Sequence, residues 1–249
     1  GYPDLFLASL AIRDSLISMF TLTSPLAEIL RESPNTVGVF HRHGLDYCCG
    51  GKTPLNEACL DRGIDPRNVY AELVSVSDGE SFGNLHVDLW PTAFLVDFIV
   101  SNHHAFVRTA LPLAISQMTK VVTKHGERFL DAPAILELLM ELQTSLMDHL
   151  EDEERVLFSA SAKTLAPAQL RDIVQAHEQE HVDVGRKLQR LRAITNDFTP
   201  PEGACTTHRS AHATMRAFYE DTMQHVFLEN AILFPRFVGY DLPTLPTHH

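Results

Sequence analysis

The spacing of apolar residues along the chain is helical almost throughout. Apolar positions recur every three or four residues, and there is no alternating run with a hairpin dipeptide. The pattern predicts four long helices, at residues 91–124, 133–160, 167–195 and 206–236. Four such helices with modest connections indicate an antiparallel bundle, so the predicted fold class is all-α.

The first third of the chain has a different pattern. Short helical pieces between residues 24 and 80 are separated by prolines at positions 25, 34, 54 and 66. The polar, glycine-containing stretch SVSDGESFGN, residues 75–84, follows them and is interpreted as a linker. We therefore predict a small helical N-terminal domain within residues 1–80 and a four-helix bundle within residues 85–239.

The charge of the chain narrows the choice of partners. A formal net charge of −12 without any basic run would repel phosphates, so neither nucleic acid nor an anionic membrane is an expected partner. The apolar run LFLASLAI near the start is far shorter than the ~20 residues that cross a bilayer. We expect a cytoplasmic protein, with residues 1–20 as a candidate segment for forming a homodimer.

Ionisable residues interrupt the apolar stripes of the second and fourth predicted helices. His149 and Glu153 continue a stripe of leucines in the second helix, and His225 and Glu229 do the same in the fourth. The surrounding sequences, HLEDEERVLF and HVFLENAILF, are similar. An unpaired buried carboxylate costs several kcal/mol, and these stripes carry no arginine or lysine. The pattern therefore predicts a bound metal ion as the positive partner.

The third and first helices add further histidines to buried stripes. The stretch HEQEH places His177 and His181 one turn apart, and it also fits the H-E-x-x-H pattern of zinc proteases, with Glu178 as the base. In the first helix the apolar stripe that contains Leu95 and Ile99 continues through His103. Several imidazoles with two carboxylates suit iron, and zinc or manganese less specifically.

The stretch HGLDYCCGGK, residues 43–52, is the most specific motif of the chain. Together with the two H-x-x-x-E helices, it resembles the RIC (repair of iron centres) family of di-iron proteins. The resemblance implies a hemerythrin-like bundle that holds two non-haem iron ions bridged by carboxylates, with an oxo bridge as an option. The implied ligands are His103, His149, Glu153, His181, His225 and Glu229. For the first of these, aligning with the family on Ile99 and Val100 favours His103, whereas aligning on Leu111 and Pro112 favours His104; both can lie on apolar stripes, and His103 is our prediction. In hemerythrin itself two histidines four apart bind metal, which resembles His177 and His181, so His177 is a candidate fifth imidazole.

The adjacent Cys48 and Cys49 are the second candidate site. Neighbouring Cα atoms are about 3.8 Å apart, below the usual disulfide span of ~4.4–6.8 Å, so a bond between them would be strained and easily reduced. Lys52 and the predicted helix start at Thr53 are expected to favour the thiolate form. We therefore predict a redox or transfer role for the two cysteines.

Three functions are compatible with these residues. The resemblance implies repair of iron–sulfur clusters damaged by nitrosative or oxidative stress, with damaged iron–sulfur proteins as partners and iron donation or nitric oxide handling as the chemistry. The first alternative is reversible binding or sensing of oxygen or nitric oxide, and the second is a redox enzyme that reduces nitric oxide or peroxide. A zinc protease is disfavoured, because it needs an open cleft, usually beside an exposed strand, and no strand is predicted.

Overall fold

A computed structural model describes residues 20–77, 87–159 and 164–239, and most of these residues are helical. Within those ranges no β-strand is present, so the predicted all-α class is confirmed. The chain divides into two compact units, residues 1–85 and 86–249. The proposed dimerisation segment, apart from Phe20, and most of the predicted linker lie outside the described residues.

The described part of the N-terminal unit, residues 20–77, contains four short α-helices around a small apolar core. The helices are α1 (Leu26–Glu32), α2 (Val37–His43), α3 (Leu55–Leu60) and α4 (Pro66–Ser77). Helix α2 ends because Gly44 adopts a left-handed conformation (φ 63°), which allows the Leu45 amide to bond back to the Phe40 carbonyl. The chain then forms the loop that carries Cys48 and Cys49. Tyr47, Phe40 and Leu55 are buried beneath this loop.

The second unit is built from four long helical stretches. They comprise α5 (Thr92–Phe98) continuing into α6 (Ala105–His125), then α7 (Ala132–Asp152), α8 (Pro167–Ile194) and α9 (Thr206–Leu228), with the short α10 (Phe234–Phe237) after it. Helix α6 packs against α7 and α9, and α8 packs against the same two helices. In the described part of the chain, no helix is long and apolar enough to cross a membrane.

Three of these stretches contain a π-helical segment, which the periodicity of the sequence did not predict. The segments are Ile99–His104 before α6, Glu153–Leu157 after α7 and Glu229–Leu233 after α9. A π-helical turn inserts one extra residue, so it rotates the following side chains relative to the preceding ones. All three segments lie at the same end of the bundle and carry ionisable residues into its centre.

Candidate metal centre

Six buried side chains form two overlapping groups at the centre of the bundle. One group contains His104 and His225, the other contains His149 and His181, and both contain Glu153 and Glu229. In each group the potential ligand atoms all lie within 4.8 Å of one another. Two metal positions that share two carboxylates are the arrangement found in carboxylate-bridged bimetallic bundles.

Each long helical stretch supplies one histidine, and the second and fourth supply the carboxylates as well. His149 and His225 lie one turn before Glu153 and Glu229, at the ends of α7 and α9. His181 comes from the middle of α8, and His104 is the last residue of the π-helical segment before α6. Residues distant in sequence therefore meet because the antiparallel helices bring alternate ends together.

The imidazole Nε2 atoms converge on the carboxylates. Nε2 of His225 lies 2.8 Å from a Glu229 oxygen, and Nε2 of His181 lies 3.3 Å from the other. On the opposite side, Nε2 of His149 lies 3.4 Å from one oxygen of Glu153. The corresponding distance from Nε2 of His104 to the other Glu153 oxygen is 3.5 Å.

The carboxylates lack enough protein donors to satisfy them. Both oxygens of Glu153 and one oxygen of Glu229 have no hydrogen-bond partner among the described residues, although both side chains are fully buried. Leaving buried carboxylate oxygens unsatisfied costs several kcal/mol, so the site requires positive charge. Two divalent cations between the imidazoles and these oxygens would supply it. The residues therefore fit a pair of metal ions.

The pKa shifts within the cluster also favour metal binding. Burial and the neighbouring Glu229 would raise the pKa of Glu153, but His149 and His104 outweigh them and lower it to about 2. Burial alone would lower the pKa of His149 and His104, yet the carboxylates raise the two values to about 10 and about 9. The carboxylates are thus held ionised, which is the form that binds metal ions.

Three of the histidines are held by polar side chains on their outer nitrogen. Nδ1 of His104 lies 2.7 Å from Glu154, which also accepts a hydrogen bond from Arg108 at 2.8 Å. Nδ1 of His149 lies 2.7 Å from Glu180. Nδ1 of His181 lies 2.8 Å from the side-chain oxygen of Asn230. Such partners fix the ring orientation and leave Nε2 directed at the metal positions.

The structure brings His104 into the cluster instead of the predicted His103. His103 is buried beside the centre, with Nδ1 2.9 Å from Asp221 and its ring stacked over that of His225 at 5.8 Å between centroids. Its Nε2 has no hydrogen-bond partner among the described residues, and it belongs to neither group. The physical reason is the π-helical segment, whose extra residue turns the next histidine inward.

His177 lies on the outer side of His149. Its Nδ1 is 3.4 Å from Nδ1 of His149 and 3.5 Å from Glu180, so it faces the nitrogen that points away from Glu153. His177 and His149 form a separate candidate group with Glu180, and His177 does not share a group with His181. The H-E-x-x-H pattern therefore does not create a two-histidine site of the protease type here.

The cysteine loop is organised by Asp46. One carboxylate oxygen of Asp46 accepts hydrogen bonds from the Cys49 amide at 3.0 Å and from the Cys48 amide and thiol at 3.2 Å each. The two sulfur atoms are 3.6 Å apart, far beyond a disulfide bond length of about 2.05 Å. A Cβ at Gly51 would lie 2.5 Å from the Tyr47 carbonyl, so the tight turn requires glycine there.

The two thiols are in different environments. Cys48 is buried, and burial together with the hydrogen bond to Cys49 raises the pKa of its thiol well above the usual value. Cys49 is half-buried. The expectation that Lys52 and the helix start would favour the thiolate therefore fails for Cys48, because desolvation and Asp46 oppose ionisation.

We expect Cys49 to react before Cys48 when the native protein is treated with iodoacetamide at neutral pH. The thiolate is the nucleophile, and Cys48 is both less exposed and held as a thiol. Peptide mass spectrometry against time would measure the order, with the buried Cys59 as an internal slow reference. Asp46→Asn should accelerate modification of Cys48. Equal rates for both cysteines in the native protein would contradict this difference.

These observations define a class: a helical-bundle protein with a buried histidine and glutamate centre for two metal ions, joined to a small helical unit with a cysteine pair. Residues 95–237 match the family model described as the hemerythrin HHE cation binding domain. Residues 22–77 match a domain of unknown function, DUF542. The hemerythrin description implies a pair of iron ions as the cofactor, in agreement with the sequence prediction, and the buried cluster offers ligands for it.

Curated relatives cover nearly the same length. The chain is 31% identical over 212 residues to the iron-sulfur cluster repair protein YtfE of Citrobacter koseri, covering 85% of this chain and 95% of the relative. It is 32% identical over 215 residues to the protein of the same name from Escherichia coli O157:H7, with the same coverage. The chain therefore belongs to the family of two-domain hemerythrin-like proteins that includes these repair proteins, and the resemblance predicted from the sequence is confirmed.

Proposed function

We propose that this protein restores iron–sulfur clusters damaged by nitrosative or oxidative stress, using two iron ions held in the bundle. We assign the ligands as His104, His149, His181 and His225, with Glu153 and Glu229 bridging. This set replaces His103 with His104 and leaves His177 outside the ligand shell. The observation that carries the proposal is the pair of overlapping four-residue groups that share two under-satisfied carboxylates.

Each residue has a distinct task in this proposal. When bound, the iron pair supplies exchangeable iron and one-electron redox chemistry. Glu154, Glu180 and Asn230 orient three of the imidazoles, so that the ligand atoms are in position before the ions arrive. Burial of the six ligands excludes bulk water and limits side reactions. The bundle therefore stores the ions in an ordered site from which they can be withdrawn.

We further propose that Cys48 and Cys49 assist transfer of iron or electrons to a damaged iron–sulfur protein. Thiolates are strong ligands for iron, and Asp46 arranges both cysteines on one loop. Cys49 is the more accessible of the two, so we assign it the first contact with the client. Reduced thiols suit a reducing compartment such as the cytoplasm, which we propose as the location.

A reconstitution assay tests the proposal. Iron-loaded protein is mixed with a purified dehydratase whose four-iron cluster has been damaged by nitric oxide, and recovery of dehydratase activity is followed. We expect recovery to depend on the bound iron and to fall to the level of added free iron in the Glu153→Gln/Glu229→Gln variant. If the variant and the native protein restore equal activity, the bundle site does not act in repair.

Binding of a small gas is the second candidate. Each iron would be held by two imidazoles and by the two carboxylates that both groups share, which is fewer than the about six ligands of an octahedral ion. Such a site would leave room for an additional small ligand such as oxygen or nitric oxide. Reversible spectral changes of the reduced protein with either gas, without any recovery of the damaged dehydratase, would support this function over repair.

A further inference from the structure

A second group of histidines lies near the start of α9, away from the centre described above. His208 and His212 are one helical turn apart, and each is only 2% exposed. Nδ1 of His208 and both ring nitrogens of His212 have no hydrogen-bond partner among the described residues. Each buried polar atom without a partner costs about 1–3 kcal/mol of folding free energy, so a ligand bound to these nitrogens would stabilise the protein.

The pair is independent of the iron centre. Thirteen residues of α9 separate His212 from His225, which corresponds to about 20 Å along a helix. The surroundings are aromatic: the Phe129 ring lies 4.6 Å from the His208 ring, and His125 lies 6.3 Å from Phe129, both measured between centroids. Nothing at this end of the bundle is used by the proposed repair function.

The two rings have the mutual geometry of the histidine pairs that share a metal position in the centre. Their centroids are 5.0 Å apart, with 60° between the ring planes. The corresponding values are 4.7 Å and 67° for His149 and His181. They are 4.8 Å and 64° for His104 and His225. Two imidazoles at this separation can direct one nitrogen each at a single ion about 2.0–2.1 Å from both.

The aromatic packing explains why residues 208 and 212 are buried, but it does not explain why both are histidines. A phenylalanine or leucine at either position would fill the same space without leaving unsatisfied nitrogens. Burial lowers the pKa of His212 to about 4, and His208 adds to the shift. The Phe198 backbone acts on that pKa in the opposite direction. Both rings are therefore neutral near pH 7, the form in which imidazole binds metals.

We propose that His208 and His212 form a third metal position, which binds a late first-row divalent ion of the zinc class. A site of two imidazoles suits zinc, copper or nickel better than magnesium or calcium, which prefer oxygen ligands. His125, near the end of α6, is a candidate third ligand, because its ring packs on Phe129 and Phe129 packs on His208. Binding by His125 as well would link the start of α9 to the end of α6, and water would complete the coordination.

Zinc titration of the iron-loaded full-length chain tests the proposal. Cys48→Ser/Cys49→Ser serves as the background, because Asp46 and the two thiols are themselves a candidate metal group. We expect one zinc ion per chain in addition to the two iron ions. His208→Gln/His212→Gln should weaken zinc binding by at least about 100-fold while iron content and helical signal stay unchanged. His43→Gln, which removes a half-buried histidine paired with Glu72, is the matched control and should bind zinc normally.

Two outcomes would overturn the third metal position. One is the absence of tight zinc binding in the background protein, and the other is equal zinc affinity in the His208→Gln/His212→Gln variant. If the double variant fails to fold, X-ray absorption at the zinc edge of the background protein shows whether imidazoles bind the zinc ion. Scattering from two or more imidazoles is expected, and a shell without imidazole would refute the assignment. None of these measurements depends on cluster repair.

Discussion

Replacing both Glu153 and Glu229 with glutamine should leave the purified protein with almost no iron. The two carboxylates belong to both metal positions, and their oxygens lack other partners within the described structure. Glutamine keeps the shape but removes two negative charges, so the four imidazoles alone must hold the ions. We expect iron content to fall from two ions per chain to below about 0.2, a loss of more than tenfold in affinity for each position.

Iron analysis by plasma emission and the absorption of the carboxylate-bridged pair would measure this loss. Glu151→Gln, an exposed change two residues from both His149 and Glu153, is the matched control and should retain both ions. Helical content should be unchanged in both proteins, because the buried charges are removed together and not left unpaired. Two iron ions per chain in the double variant would exclude bridging by these carboxylates.

The helices and most of the buried cluster could be predicted because both depend on local periodicity. The four helical stretches agree with the predicted ranges to within about three residues at each end. His149, Glu153, His225 and Glu229 were recognised since an ionisable residue on an apolar stripe has no satisfactory environment without a partner. His181 followed from the same reasoning on α8. These predictions required only the helical repeat and the cost of burying charge.

The residues that orient the ligands could not be found in this way. Glu154 and Glu180 are only partly buried, and each contacts a histidine on another helix. The signal that the sequence offers for Glu154 and Glu180 is that they stand next to the predicted ligands Glu153 and His181. The rotation of neighbouring helices decides which adjacent carboxylate reaches an imidazole, and a single sequence does not specify that rotation. The same holds for His177, which lies on a buried stripe but faces the outer nitrogen of His149.

The choice between His103 and His104 depends on a local departure from the helical repeat. Counting four residues from Ile99 leads to His103, whereas the π-helical segment places the fifth residue, His104, on the inward face. The upstream and downstream alignments with the family disagreed by one residue, and the inserted residue of the π-helical segment accounts for that disagreement. A one-residue shift between two alignments of one helix is thus a signal for a π-helical turn.

His104→Gln should therefore remove iron, and His103→Gln should not. Nε2 of His104 lies 3.1 Å from Nε2 of His225 and 3.5 Å from Glu153, so glutamine at 104 takes one of the two imidazoles from that metal position. We expect the protein to lose at least one iron ion per chain, because the iron affinity of that metal position should fall by at least about tenfold. His103→Gln should keep both ions, because its bonded nitrogen faces Asp221.

The two variants control for each other, since they change adjacent residues of the same type that are buried to a similar extent. Iron per chain, measured after removal of loosely bound metal by a weak chelator, separates ligand loss from general destabilisation. Loss of iron in His103→Gln with retention in His104→Gln would reverse the assignment and would argue against the inward rotation by the π-helical segment. Equal loss in both would show that the two histidines act as one packed unit, with His103 supporting the centre through its stacking on His225.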